Sequence, residues 1–352
     1  MMDKEENRKF EYHWIPSRIR GGWADNGGTT SVIERTDEGR GRLRRKPLDT
    51  LFTRKYSVPA ATDISDGLET FSLEGYKASL EALLGNGKEG DNPFWAATEL
   101  VTEMYYKTPS GHGIPGETEK SGKDWMTLEA LIECDRRMPA ASDTLTDLKW
   151  AVVHAPGSEQ FVLADCPVYV GNMLTPQAAE TEEGAFRAPG AFFITPLTPK
   201  TALLLFDASV YVTYVDDSRD IVLSPYDLFC VNRYMMNHSR NIAVAPSPDG
   251  VPYSLYVLNV FNKEYEEEGP EKLSFLGINE EAVTPSDDTR PYCRLLDEFR
   301  KEEIKGKGIE MYSDEADDRE ADFIWSWIFD ETGITPGENR TEDNPEKAED
   351  NG

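Results

Sequence analysis

The chain has 352 residues, 37 Lys and Arg against 65 Asp and Glu, and a formal net charge of -28. That length suits one large domain or two moderate ones, and 39% apolar residues can bury a core, so global disorder is excluded. The charge balance counts against a broad basic nucleic-acid surface.

The Cys residues, at 134, 166, 230 and 293, form no C-x-x-C, which excludes a zinc ribbon or a thioredoxin-like motif. They read as reduced thiols of an intracellular protein. The opening residues lack the apolar stretch of a secretory signal. The longest apolar runs, 201–206 and 254–261, fall far short of the ~20 residues that span a bilayer. A soluble, cytoplasmic protein without membrane contact is expected.

Charge is unevenly placed. Residues 1–55 hold 13 Lys and Arg and 9 Asp and Glu, a net of +4, so the remainder carries -32. The basic part contains GRGRLRRKP at 39–47. Segment 310–352 holds 15 acids and 3 bases, and its last residues read as a disordered acidic tail.

In chain order, the first ~55 residues read as irregular or short-stranded, with turn signals at Gly21-Gly22 and Asn26-Gly27. Residues 29–35 predict a strand that pairs with 42–46 across the turn 37–41. Apolar residues from Leu68 to Leu84 at spacings of three and four predict a helix ended by Gly85. Pro93 opens a second helix through Tyr106, and 108–123 reads as a loop. A third helix is expected over 124–138, stopped by Pro139. The period then shortens, and strands are predicted at 149–154, 160–164, 168–170, 191–195, 202–206 and 210–215. A helix over 225–239, strands at 241–245 and 254–261, and terminal helices at 294–304 and 321–329 complete the chain.

The composite is α+β: a mixed or antiparallel sheet with a helical layer and an irregular N-terminal arm. The expected division is a basic Gly-rich arm at 1–58, a helical layer at 59–140, a sheet-rich core at 141–330 and a tail at 331–352.

No phosphate-binding P-loop, dinucleotide fingerprint, H-E-x-x-H or G-x-S-x-G motif is present. His13, His112, His154 and His238 include no close pair, so a His metal site needs long-range assembly. His112 reads as loop filler, His154 as a structural strand end, and His238 as a cation suited to a helix C-terminus.

Three segments stand out together. The first is Tyr12-His13-Trp14-Ile15-Pro16, an H-x-x-P opening followed by Trp23. The second is Phe161-Val162-Leu163-Ala164-Asp165-Cys166-Pro167-Val168. The third is Ile194-Thr195-Pro196-Leu197-Thr198-Pro199-Lys200. In order and spacing, across roughly 10–246, they resemble the domain of unknown function 4238 family. The stretch 54–57, the helix bearing Glu69 and Glu74, and Val231-Asn232 with Ser239-Arg240 support the resemblance. This chain has Ala164 and Cys166 where the family pattern has Ser and Asn. The resemblance implies a fold neighbourhood and candidate residues, and no activity.

His13, Asp165 and Glu74 are the candidate catalytic residues. His can exchange a proton near neutral pH, and Asp165 at a strand end can be a carboxylate base, a metal ligand or the start of an Asx-turn. Glu69 and Glu74 diverge by ~140° around a helix, and Glu74 is the one placed among core-facing positions. Arg42, Arg44 and Arg240 are the candidate anion-binding residues, with Asn232 beside them. Helix-end capping and solvation are the plain alternative for Asn232 and Arg240.

Two readings follow. One is a hydrolase acting on a phosphodiester or nucleotide by His and carboxylate chemistry, with or without a divalent metal. The other is a non-enzymatic binding module in which H-x-x-P and D-x-P are structural. The partner is left open: in the first reading the basic patch attracts phosphate, as a nucleotide or nucleic acid, and the alternative for that patch is the protein's own acids.

Overall fold

The computed structural model describes residues 8–15, 17–36, 38–58, 93–106, 108, 128–213, 220–246, 253–263, 273–279 and 288–306. The predicted helices near 68–84 and 321–329, the loop beyond Thr108, Glu74 and the tail lie outside those residues.

The N-terminal arm is short-stranded. Strand β1 (Arg8–His13) pairs antiparallel with β4 (Thr53–Val58), and β2 (Thr29–Arg35) pairs antiparallel with β3 (Gly41–Pro47). The second pair is the hairpin expected from the alternation. Helix α1 (Ser17–Gly21) lies between the two pairs in sequence.

The fold is α+β, with two principal sheets. The first is mixed: β11 (Asp220–Val222), β5 (Lys149–His154), β9 (Thr201–Phe206), β8 (Ala191–Pro196) and β7 (Tyr169–Asn172) lie in that order. Strands β11 and β5 run parallel and the other neighbours antiparallel. The second is antiparallel, ordered β3, β2, β12 (Asn241–Val244) and β6 (Leu163–Ala164). A small pair joins β10 (Tyr211–Thr213) to β13 (Leu276–Ile278).

Strands β8 and β9 are buried almost end to end, which accounts for their continuous apolar runs AFFITP and ALLLF. Helix α2 (Pro93–Tyr106) packs on β9 and on α3 (Leu128–Asp143). Helix α4 (Glu182–Arg187) covers β7 and β8, with Thr181 as its N-cap. Helix α5 (Pro225–Asn237) packs on β6 and β7, so it touches one edge strand of each sheet. Its N-terminus is fixed by a capping box in which Ser224 and Asp227 bond reciprocally.

Two sequence expectations are corrected. Helix α3 runs through Pro139 to Asp143. Pro139 is exposed while Met138 and Ala141 are buried, so packing of the flanking face holds the helix past the lost N–H bond. Residues 254–261, expected as a strand, lie in helix α6 (Tyr253–Phe261). Val257 and Val260 are buried one turn apart while Leu255 and Tyr256 are exposed, a helical period that the dense β-branched and aromatic content concealed. Helix α6 lies over β2, β3 and β12. The terminal helix α7 spans Pro291–Gly306.

Candidate functional site

Segment 160–168 is buried yet mostly irregular. Gln160 through Val168 are all buried, and only Leu163 and Ala164 pair as a strand, opposite β12. The chain leaves one sheet at β6 and enters the other at β7, turning through Asp165, Cys166 and Pro167. Buried backbone outside a ladder needs other partners, and the residues that carried the resemblance supply them.

Trp23 Nε1 donates to the Phe161 carbonyl at 3.1 Å. The Phe161 N–H donates to the Pro199 carbonyl at 2.9 Å. Asn232 accepts from the Val162 N–H at 3.0 Å and donates to the Gln160 carbonyl at 2.8 Å. The Cys166 N–H donates to Ser239 Oγ at 3.0 Å, and Thr195 Oγ1 donates to the Pro167 carbonyl at 3.0 Å. Asn232 therefore sits inside α5, 3% exposed, and its amide spans two positions of the corner; the helix-end capping expected for it is corrected.

Asp165 is 4% exposed. Its Oδ1 accepts from the Arg240 N–H at 3.0 Å, and its Oδ2 accepts from the Asn241 N–H at 3.0 Å and from Asn241 Nδ2 at 3.1 Å. The Asp165 N–H in turn donates to the Asn241 carbonyl. The carboxylate thus ties the corner to the start of β12. Burial pushes the Asp165 carboxyl above the usual carboxylate range, while bonds from Asn241, Arg240 and Ser239 pull it back. Both oxygens are occupied by groups of the fold.

Arg35, which the sequence reading passed over, completes this corner. Its Nε donates to the Ser239 carbonyl at 3.2 Å and its Nη2 to the Met236 carbonyl at 2.8 Å, closing the C-terminal end of α5. Its guanidinium lies 4.4 Å from the centre of the Phe261 ring. Burial lowers its pKa, and the Asp165 charge acts against that shift. The available signal was modest: an Arg ending a predicted strand, with helix 225–239 expected immediately before the β12 segment.

His13 ends β1 opposite Thr53, in a strand pair separate from the sheet that carries Asp165. Beside it the backbone is constrained. The Trp14 N–H donates to the Phe52 carbonyl at 3.2 Å, and Phe52 holds φ +58°, an unusual value for a bulky residue. Trp14 and Ile15 are buried, so H-x-x-P threads the arm into the core.

The basic hairpin is the other candidate. Arg42, Arg44 and Lys46 alternate along β3 and share a face. Helix α6 covers the opposite face: a side chain at Gly41 would press into Phe261, Ile33 and Leu258. Glu34 of β2 pairs with both Arg44, at 3.1 Å, and Lys46, and Asp25 pairs with Arg45. The protein's own acids thus take up three of the four bases of β3. One acid serves two bases on the outer face, and Arg42 beside them is exposed, so positive charge is in excess. Arg240 is exposed beyond α5, and its main chain is committed to Asp165 and Arg35.

Among the described residues, no group of three or more His, Cys, Asp or Glu side chains is placed to hold a metal ion. No described helix is long and apolar enough to cross a membrane. The cleft bounded by Asn232, Tyr253 and Tyr256 has room for about one water molecule.

Trp23, Asp165, Thr195, Pro199, Asn232 and Ser239, from segments that carry the family resemblance, thus meet at one buried corner. Residues 98–249 match the family model described as a protein of unknown function, DUF4238. No curated protein and no solved structure matches the chain. The DUF4238 segment contains Asp165, Thr195, Pro199, Asn232 and Ser239. The H-x-x-P opening and the basic hairpin precede the matched residues.

Proposed function

We propose that this chain is a non-enzymatic binding module whose β2–β3 hairpin docks a phosphate-bearing partner, a nucleic acid strand, through Arg42 and Arg44. The observation that supports a structural role for the motifs is the commitment of Asp165: each oxygen accepts main-chain N–H bonds at the joint between two sheets. A general base needs a lone pair facing substrate, and this carboxylate is 4% exposed with both oxygens accepting bonds from the fold. The hydrolase reading would have to run through His13 and Glu74 without it.

The excess positive charge on β3 supports the choice of partner. Phosphate contacts by Arg give salt-dependent affinity with little sequence preference. The test is titration of a labelled oligothymidylate of ~20 nucleotides into the full chain at rising KCl. Binding should weaken steeply with salt, and Arg42→Gln/Arg44→Gln should reduce the log–log salt slope by ~1–2. Equal affinity and slope in wild type and variant would contradict the reading.

A further inference from the structure

We propose that the acidic segment 310–352 is an intramolecular ligand of the β3 face, held there until a phosphate-bearing partner displaces it. What is displaced rests on the reading above; the docking itself does not.

Beyond residue 55 the chain carries a net of -32. The described bases of that region that anchor the helices are already matched: Arg137 with Glu182, Arg187 with Asp297, Arg290 with Asp147 and Arg300 with Asp143. On the outer face of β3, by contrast, Arg44 and Lys46 divide one carboxylate between them and Arg42 stands exposed beside them. A second carboxylate there would complete the pairing.

The chain supplies such carboxylates at high local concentration. Segment 310–352 holds 15 acids and 3 bases, the densest run being Asp314, Glu315, Asp317, Asp318, Glu320 and Asp322. A strand presents alternate side chains to one face at ~6–7 Å intervals, and the carboxylates of Asp318, Glu320 and Asp322 recur at every second residue. The described core ends at Gly306. At ~3.3 Å per extended residue, the chain from Gly306 to the acids at 314–322 spans at most ~26–53 Å. Tethering gives a local concentration on the order of millimolar, so a contact too weak to hold in solution between molecules is filled within one. Phosphates and carboxylates present the same planar or branched oxygens to a guanidinium fork, so the two ligands compete for the same donors.

The test uses the full chain. Cys134, Cys166, Cys230 and Cys293 are buried, so Ser313→Cys can be labelled selectively with a nitroxide. At ~50 mM KCl the label should broaden the amide resonances of Arg42, Arg44 and Lys46, and the broadening should vanish at ~500 mM KCl. It should also vanish in Arg42→Gln/Arg44→Gln. Separately, neutralising Asp314, Glu315, Asp317 and Asp318 to Asn and Gln in the unlabelled chain should raise oligothymidylate affinity about tenfold at low salt. No broadening of β3 at low salt overturns the docking, as does broadening that survives loss of the two arginines. Broadening that behaves as stated in a chain that binds no oligothymidylate leaves the docking standing and removes the phosphate reading alone.

Discussion

At the scale of single residues, the fold depends on positions where one atom decides the packing. Gly171 lies in β7 directly opposite Phe192 of β8, and a Cβ there would stand 2.1 Å from the Phe192 ring. Phe192 is 1% exposed and makes edge contacts with Tyr169 and Tyr211, so it cannot yield without displacing both. Gly171→Ala should therefore cost ~1–3 kcal/mol or more through overpacking. Urea denaturation would show it as a lower midpoint at unchanged slope. The candidate residues follow the same logic. Asp165 was visible in the sequence as a polar centre before a turn, but its partners at 239–241 are some 75 positions away. Nothing local distinguishes a carboxylate waiting for substrate from one waiting for a distant strand.

At the scale of elements, short β-branched and aromatic runs between turn residues identified strands, exposed or buried, and misled where such a run forms a short helix. The 29–35 and 42–46 strands and strands β5, β8 and β9 were legible from β-branched and aromatic runs bounded by turn residues, and helix 225–239 was legible as well. Helix α6 was not, because YSLYVLNVF is rich in strand-favouring side chains and too short to display many turns. Residues 160–162 were read as strand, yet their main chain is satisfied by Asn232 and Pro199 rather than by a neighbouring strand. Helix α3 ignored its proline because the flanking residues are anchored. That makes Pro139→Ala a gain: it restores an N–H to the helix and removes a ring clash whose cost in a helix interior is ~3 kcal/mol. We expect stabilisation of ~1–3 kcal/mol and a melting temperature higher by a few degrees. A lower melting temperature would show that the proline is accommodated without strain.

At the scale of the whole molecule, the apolar core surrounds an unusual number of phenols. Burial pushes the hydroxyls of Tyr105, Tyr106, Tyr234 and Tyr292 well above their ordinary value, and those of Tyr211 and Tyr253 as well. Burial likewise pushes the Cys293 thiol up to about 11. In each case the folded state keeps a proton that the unfolded state releases. Their contribution to stability is thus intact below the unfolded values of ~8.5 for Cys and ~10 for Tyr, and is lost as pH rises above them. Alkaline titration should show the phenolate absorbance of these buried tyrosines appearing in one cooperative step together with loss of circular dichroism, separate from that of exposed phenols such as Tyr226 and Tyr256. Gradual titration of all 15 tyrosines near ~10 with the fold intact would contradict this.

The central claim is that Asp165 holds two sheets together rather than acting on a substrate, and Asp165→Asn tests it most directly. The amide nitrogen cannot accept, so at least one main-chain N–H at Arg240 or Asn241 loses its partner inside the core. Chemical denaturation of the full-length variant should give an unfolding free energy lower by ~1–3 kcal/mol, with oligothymidylate affinity unchanged under conditions where the variant is folded. Unchanged stability, with loss of a measurable binding or hydrolytic activity, would contradict the account.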